Sequence, residues 1–141
     1  MEPGNSCAYV LVDYQLRMPD RATPTRGLFA GGTAMSVPSD LNAYDRYYEA
    51  RVYQRGTLPS RPTDVLSLIA SYRSHSRYFT DSLVAQGATV WHSSSSLTGT
   101  CTLHVSRGDY LSLSLGYVRG PALSPRVPSA LVFTANWSLY L

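Results

Sequence analysis

The sequence predicts an all-β domain, an antiparallel two-sheet jelly-roll sandwich of about eight strands. Three observations predict it. Apolar and polar residues alternate over several segments, the period-of-two pattern of half-buried strands. The composition suits strands: there are 11 tyrosines, 19 serines, no lysine and only two glutamates, Glu2 and Glu49, whereas helix surfaces draw heavily on Glu and Lys. Nine prolines and ten glycines interrupt the chain at short intervals, as turns between short strands do.

The elements follow in order. Ala8, Val10, Val12, Tyr14 and Leu16 share one face, with Asp13, Gln15 and Arg17 on the other. Residues 18–45 read as loop-rich, with MPDRATPTRG, an FAGGT turn and a short strand at Met35–Val37 before Pro38. From 46 to 54, Tyr48, Ala50 and Val52 oppose Tyr47, Glu49, Arg51 and Tyr53. RGTLPSRPT (55–63) is a loop. The segment 64–72 carries two patterns. Val65, Leu68, Ile69 and Tyr72 have helical spacing with Thr63 or Asp64 as a cap, while Leu66, Leu68, Ala70 and Tyr72 alternate. β-type neighbours on both sides favour a strand. Tyr78–Thr80 and Leu83–Trp91 are expected as further strands, broken near Gly87, and Ser93–Ser96 as a polar loop.

The last third is the most legible. Cys101, Leu103 and Val105 alternate with Thr102, His104 and Ser106; Arg107-Gly108-Asp109 turns the chain; Leu111, Leu113, Leu115 and Tyr117 alternate with Ser112, Ser114 and Gly116. This is a β-hairpin with a glycine-containing turn. After a proline-rich loop (119–129), Leu131, Phe133, Ala135, Trp137, Leu139 and Leu141 share one face of a closing strand. Such a strand is expected inside a sheet, because an open edge of this kind aggregates. Residues 1–141 read as a single domain without internal repeats.

Composition also excludes. With 44% hydrophobic and 15% charged residues the chain is not disordered. No apolar run reaches the ~18–20 residues of a membrane-spanning helix, so no membrane insertion is expected. The N-terminus lacks the basic and apolar regions of a signal peptide. The net charge is only +3 and the arginines are spread out; Arg73, His75 and Arg77 come nearest to a basic patch and read as a solvated loop. Nucleic acid is therefore not an expected partner. His75, His92 and His104 form no metal-binding spacing, Cys101 and His104 fall on opposite faces of a strand, and no nucleophile or phosphate-binding motif is present. The acids, Asp13, Asp64 and Asp109 among them, look isolated. The expectation is a non-enzyme with no cofactor and no metal. Cys7 and Cys101 are expected as free, buried thiols.

Trp91-His92, Leu97-Thr98-Gly99-Thr100-Cys101-Thr102-Leu103 and Arg107-Gly108-Asp109-Tyr110-Leu111-Ser112-Leu113 together resemble the penultimate hairpin of the tumour necrosis factor superfamily. Leu131–Leu141 takes the place of that family's last strand, and Val37-Pro38-Ser39 with Tyr44 and Tyr47–Tyr53 resembles its central tyrosine-rich region. The resemblance implies a homotrimer packed through aromatic residues, with Tyr47, Tyr53, Tyr117 and Trp137 as candidate interface residues or, alternatively, as fillers of the subunit's own core. Arg107, Gly108 and Asp109 resemble an integrin-ligand tripeptide and are the candidate receptor-binding residues; the alternative is plain turn chemistry. Asn136-Trp137-Ser138 matches a glycosylation sequon. The resulting expectation is a receptor-binding jelly roll, a trimeric cytokine-like ligand head that engages a cell-surface protein receptor or glycan multivalently. It would work extracellularly or on a virion surface. The alternatives are a viral fibre head or capsid protruding domain, and a small β-barrel hydrolase or lyase.

Overall fold

The computed structural model describes residues 4–140. It contains seven strands, β1 (Ala8–Arg17), β2 (Gly27–Ser36), β3 (Tyr44–Arg55), β4 (Val65–His75), β5 (Ser93–Ser106), β6 (Asp109–Arg119) and β7 (Ser129–Leu139), and one helix, α1 (Arg77–Ala85), between β4 and β5. The strands form a single sheet in chain order, β1 to β7. Every neighbouring pair is antiparallel. Loops 37–43, 76–92 and 120–128 lie at one end of the sheet, called end A here. Loops 18–26 and 56–64 and the Arg107-Gly108 turn lie at the opposite end, end B.

The register sorts side chains onto two unlike faces. Val12, Gly32, Ala50, Ala70, Leu97, Tyr117 and Leu131 form one row across all seven strands. A row on the other face includes Tyr53, Ser67, Thr100, Ser114 and Thr134. The first face is apolar, the second largely polar. The apolar face is the uncovered one: Leu131 is 75% exposed, Phe133 70% and Trp137 62%. Among the described residues no hydrophobic side chain is buried. A patch of this breadth far exceeds what a soluble monomer exposes.

The two-sheet sandwich is therefore corrected to one open sheet of seven strands. A jelly roll needs pairings between strands distant in sequence, and each pairing here joins consecutive strands. The closing strand is not interior: β7 pairs only with β6 and forms an edge, as β1 does on the other side. Leu141, expected at its end, lies outside the described residues.

Individual elements also depart from expectation. β2 falls in a stretch expected as loop apart from a short strand at Met35–Val37. Its glycines and alanines are weak strand formers, but β1 and β3 pair with it along both sides and hold it extended. Ser93–Ser96 are not a loop; they pair with Ser71–Ser74 of β4. The segment 64–72 is a strand, and the β5–β6 hairpin turns where expected, with Gly108 at φ +83. The strands expected at 78–80 and 83–91 are replaced by α1 and the loop after it. The helix ends in a Schellman arrangement: the Gly87 N–H donates to the Val84 carbonyl (2.9 Å) and the Ala88 N–H to the Leu83 carbonyl (3.0 Å). Gly87 supplies the left-handed residue this requires, φ +84.

No atom lies within 4 Å of a Cβ placed on Gly87, so a substitution there acts through the backbone alone. Gly87→Ala is expected to lower stability by about 1–2 kcal/mol, the cost of a left-handed L-residue, read as a reduced midpoint in chemical denaturation.

Candidate functional site

The polar face carries a charged network across β1, β2 and β3. The register places Asp13, Gly31 and Arg51 in one row. Strands lie about 4.8 Å apart, so Asp13 and Arg51 are separated by roughly 10 Å of backbone spacing with β2 between them. Gly31 has no side chain to fill that gap, and Arg51 lies across it. Its Nε donates to Asp13 Oδ1 (3.0 Å) and its Nη2 to Asp13 Oδ2 (2.7 Å), a bidentate pair. Its Nη1 donates to Glu49 Oε1 (2.7 Å) and to Thr33 Oγ1 (3.0 Å). The Tyr47 hydroxyl donates to the other Glu49 oxygen (2.5 Å). A Cβ on Gly31 would overlap the Asp13 carboxylate and stand 2.6 Å from the Val12 carbonyl oxygen.

Elsewhere the face is rich in hydroxyls. Ser71 and Ser96 (2.8 Å), Thr100 and Ser114 (3.0 Å), and Thr102 and Ser112 (2.9 Å) bond in cross-strand pairs. Phe29 stacks on Tyr53 with centroids 5.0 Å apart. Near end A, Tyr9, Tyr44, Tyr47 and Arg73 line a depression of about 440 Å³, and the Arg73 guanidinium lies 5.5 Å from the Tyr44 ring centroid.

The two rims are tied down by polar contacts. At end A, the buried Ser76 donates its N–H to the Ala43 carbonyl (2.9 Å) and its hydroxyl to the Ser39 carbonyl, joining the α1 loop to loop 37–43. At end B, Arg61 pairs with Asp64, whose Oδ1 accepts the His104 N–H (2.9 Å). Arg61 Nη2 also donates to the His104 carbonyl (3.2 Å). The hydrogen bond from Arg61 holds the Asp64 carboxyl below the usual carboxylate range against the cost of burial, and the His104 amide adds to the lowering.

Comparison with known proteins decides what such a sheet belongs to. The profile of the carbohydrate-selective porins, OprB family, matches residues 1–108. The chain belongs to the OprB family. No curated protein matches it. Among solved structures, Pseudomonas putida OprB at high pH matches with a TM-score of 0.77 and 17% sequence identity, over 94% of this chain and 34% of that one. At that identity the likeness shows the fold: a section of a porin barrel wall. The chain spans about a third of the length of that porin.

Membership of the OprB family overturns the tumour necrosis factor resemblance and the readings built on it. A receptor-binding cytokine head or viral attachment domain, an extracellular or virion-surface location and the absence of membrane insertion all give way, because OprB porins are bacterial outer-membrane proteins. The argument from apolar run length fails here for a physical reason. Strands cross a bilayer with alternating residues, so no long apolar run is needed.

The residues singled out from sequence are scattered over this wall. Arg107, Gly108 and Asp109 form the tight end-B turn, where Asp109 accepts from the Ser106 hydroxyl. Tyr47 and Tyr53 lie on the polar face, Tyr117 and Trp137 on the apolar face, so the four do not share a surface. Cys7 and Cys101 are free, but Cys7 is exposed and Cys101 half-buried. Asp13 and Glu49, acids that looked isolated, make the densest polar cluster with Arg51. Alternation had already put Asp13 on the polar side of β1, and Glu49 and Arg51 together on one side of β3. The missing link was β2, which joins the two strands.

Two outcomes follow from these contacts. Gly31→Ala is expected to destabilise by about 1–3 kcal/mol, the cost of overpacking, whereas Gly99→Ala, with open space around its Cβ, is expected to be near neutral; chemical denaturation compares them. Because the folded Asp64 carboxyl sits below its unfolded value of about 3.9, the end-B clamp contributes stability above that value and loses it as pH falls through the lower folded one. The His104 amide is expected to stay protected from hydrogen exchange at about pH 5, to lose protection only as pH falls through the folded value below about 3.9, and to be unprotected throughout in Asp64→Ala.

Proposed function

We propose that this chain forms part of the wall of an outer-membrane β-barrel channel, with its apolar face against lipid and its polar face lining a water-filled lumen through which carbohydrates pass. The observation that carries this reading is the inverted partition of side chains: the exposed face is the apolar one, and the described residues bury no hydrophobic core. In water such a face is a liability; in hydrocarbon it is solvated. The strands hold 10–14 residues, enough for a tilted strand to cross a bilayer, which takes about 9–11. The interior backbone groups are paired within the sheet, as a lipid environment demands. On the apolar face Tyr48, Tyr72 and Tyr117 lie towards end A and Tyr14 and Trp137 towards end B, the placement of aromatic girdles at the two membrane interfaces.

Closure sets a further condition. With seven strands in an antiparallel meander, β1 and β7 run in the same direction. Pairing them directly would create a parallel ladder unlike the other six. An antiparallel barrel that includes this sheet therefore needs an odd number of additional strands between its edges, which makes the total even. The lumen face suits passage rather than catalysis. In its charged cluster Arg51 is shared between two carboxylates, Asp13 and Glu49, and its hydroxyls offer many weak, exchangeable hydrogen bonds.

The test is reconstitution of the full-length protein in planar bilayers and liposomes. Stepwise ion conductance and liposome swelling in neutral hexoses are expected; a folded barrel with neither would overturn the reading. Leu115→Arg, on the lipid side, is expected to cost about 2–4 kcal/mol in bilayer unfolding titrations. Ser114→Arg, one residue away on the lumen side, is expected to cost much less.

A further inference from the structure

We infer that the end-B mouth of the polar face holds a docking subsite for a neutral pyranose ring, formed by Tyr110 and Tyr140 with Thr102, Ser112 and Ser138. This rests on the channel reading above. These residues and Gly108 line a depression of about 440 Å³, within the ~300–1,000 Å³ range of small-ligand sites. All five side chains come from the lumen side of β5, β6 and β7 or from the residue just after β7.

The chemistry of the lining selects the ligand. The Tyr110 and Tyr140 rings stand 5.7 Å apart at 82°, so one presents its face beside the other's edge. His104 supports Tyr110 at 5.1 Å, and the Tyr140 N–H is fixed to the Gly108 carbonyl (2.9 Å). A pyranose has an apolar C–H surface that packs on an aromatic ring and a rim of hydroxyls. Thr102 and Ser112, bonded to each other at 2.9 Å, each retain a lone pair for such a rim, and a hydroxyl keeps both donor and acceptor capacity. None of the lining residues is charged, so an acidic sugar gains no ion pair there. The depression near end A differs in this respect, because Arg73 lines it.

The experiment is block of single-channel ion current by glucose, and by glucuronate in parallel, in the full-length protein and its variants. Tyr110→Ala and Tyr140→Ala are each expected to raise the half-blocking glucose concentration about 2- to 12-fold, the range for one lost aromatic contact. Ion conductance and glucuronate block should be unchanged, and Tyr110→Phe should retain glucose block. If Tyr110→Ala fails to fold, Tyr140→Ala decides alone, since that side chain is 69% exposed. Normal conductance with unchanged glucose block in the alanine variants would overturn the subsite while leaving the channel standing. No conductance in the unmodified folded protein would overturn the channel reading and the subsite with it.

Discussion

The ladder of backbone hydrogen bonds carries this fold, because the described residues hold no buried apolar core to share the task. Each strand from β2 to β6 is paired on both sides, and the described residues bury no hydrophobic side chain. Hydrophobic burial normally dominates folding. Here the apolar surface is gathered on one face, and whatever covers that face supplies the burial. Lipid hydrocarbon meets the requirement without a second protein layer, so one sheet suffices where a sandwich needs two. The backbone pairing is then doubly necessary, since an unpaired N–H or C=O in hydrocarbon costs several kcal/mol.

The polar face obeys the opposite logic. Groups that face water need not be paired, yet many of these are. Arg51 is held by three partners from three strands, and the hydroxyls of β5 and β6 bond across the ladder. Such pairing keeps side chains against the wall and leaves the space beside them open. Gly31 shows how closely backbone and side chain are matched. Any larger residue on the middle strand would occupy the path by which Arg51 reaches Asp13. A residue that weakens a strand in isolation is thus what lets its two neighbours be joined over it. The rims complete the frame: Ser76 joins two loops at end A, and Arg61 with Asp64 joins loop 56–64 to the β5–β6 hairpin at end B.

Several elements could be read without coordinates. The faces of β1, β3, β4, β6 and β7 follow from alternation, and the β5–β6 turn follows from its glycine. Three stretches could not be read, among them Ser93–Ser96, a polar run that is strand because it pairs with β4. β2 is a strand only because its neighbours impose it, which no local propensity reveals. α1 is a single short helix whose end depends on Gly87, and the same residues mimic a broken strand. The tumour necrosis factor resemblance misled because a glycine-turned hairpin of alternating strands is common to antiparallel sheets of every kind. The Asp13–Arg51–Glu49 cluster was out of reach while β2 read as loop, since its members meet only across that strand.

The amino-acid sequence alone determined that the chain is β-rich, where most strands run and which side chains share a face. These are local properties, set by a backbone that turns successive residues to opposite sides. Only the tertiary structure decided which face is covered. A period of two fits a sandwich with its apolar face inward as well as a barrel with that face outward. The choice lies in strand order, and here consecutive strands pair one after another with no second sheet stacked on them.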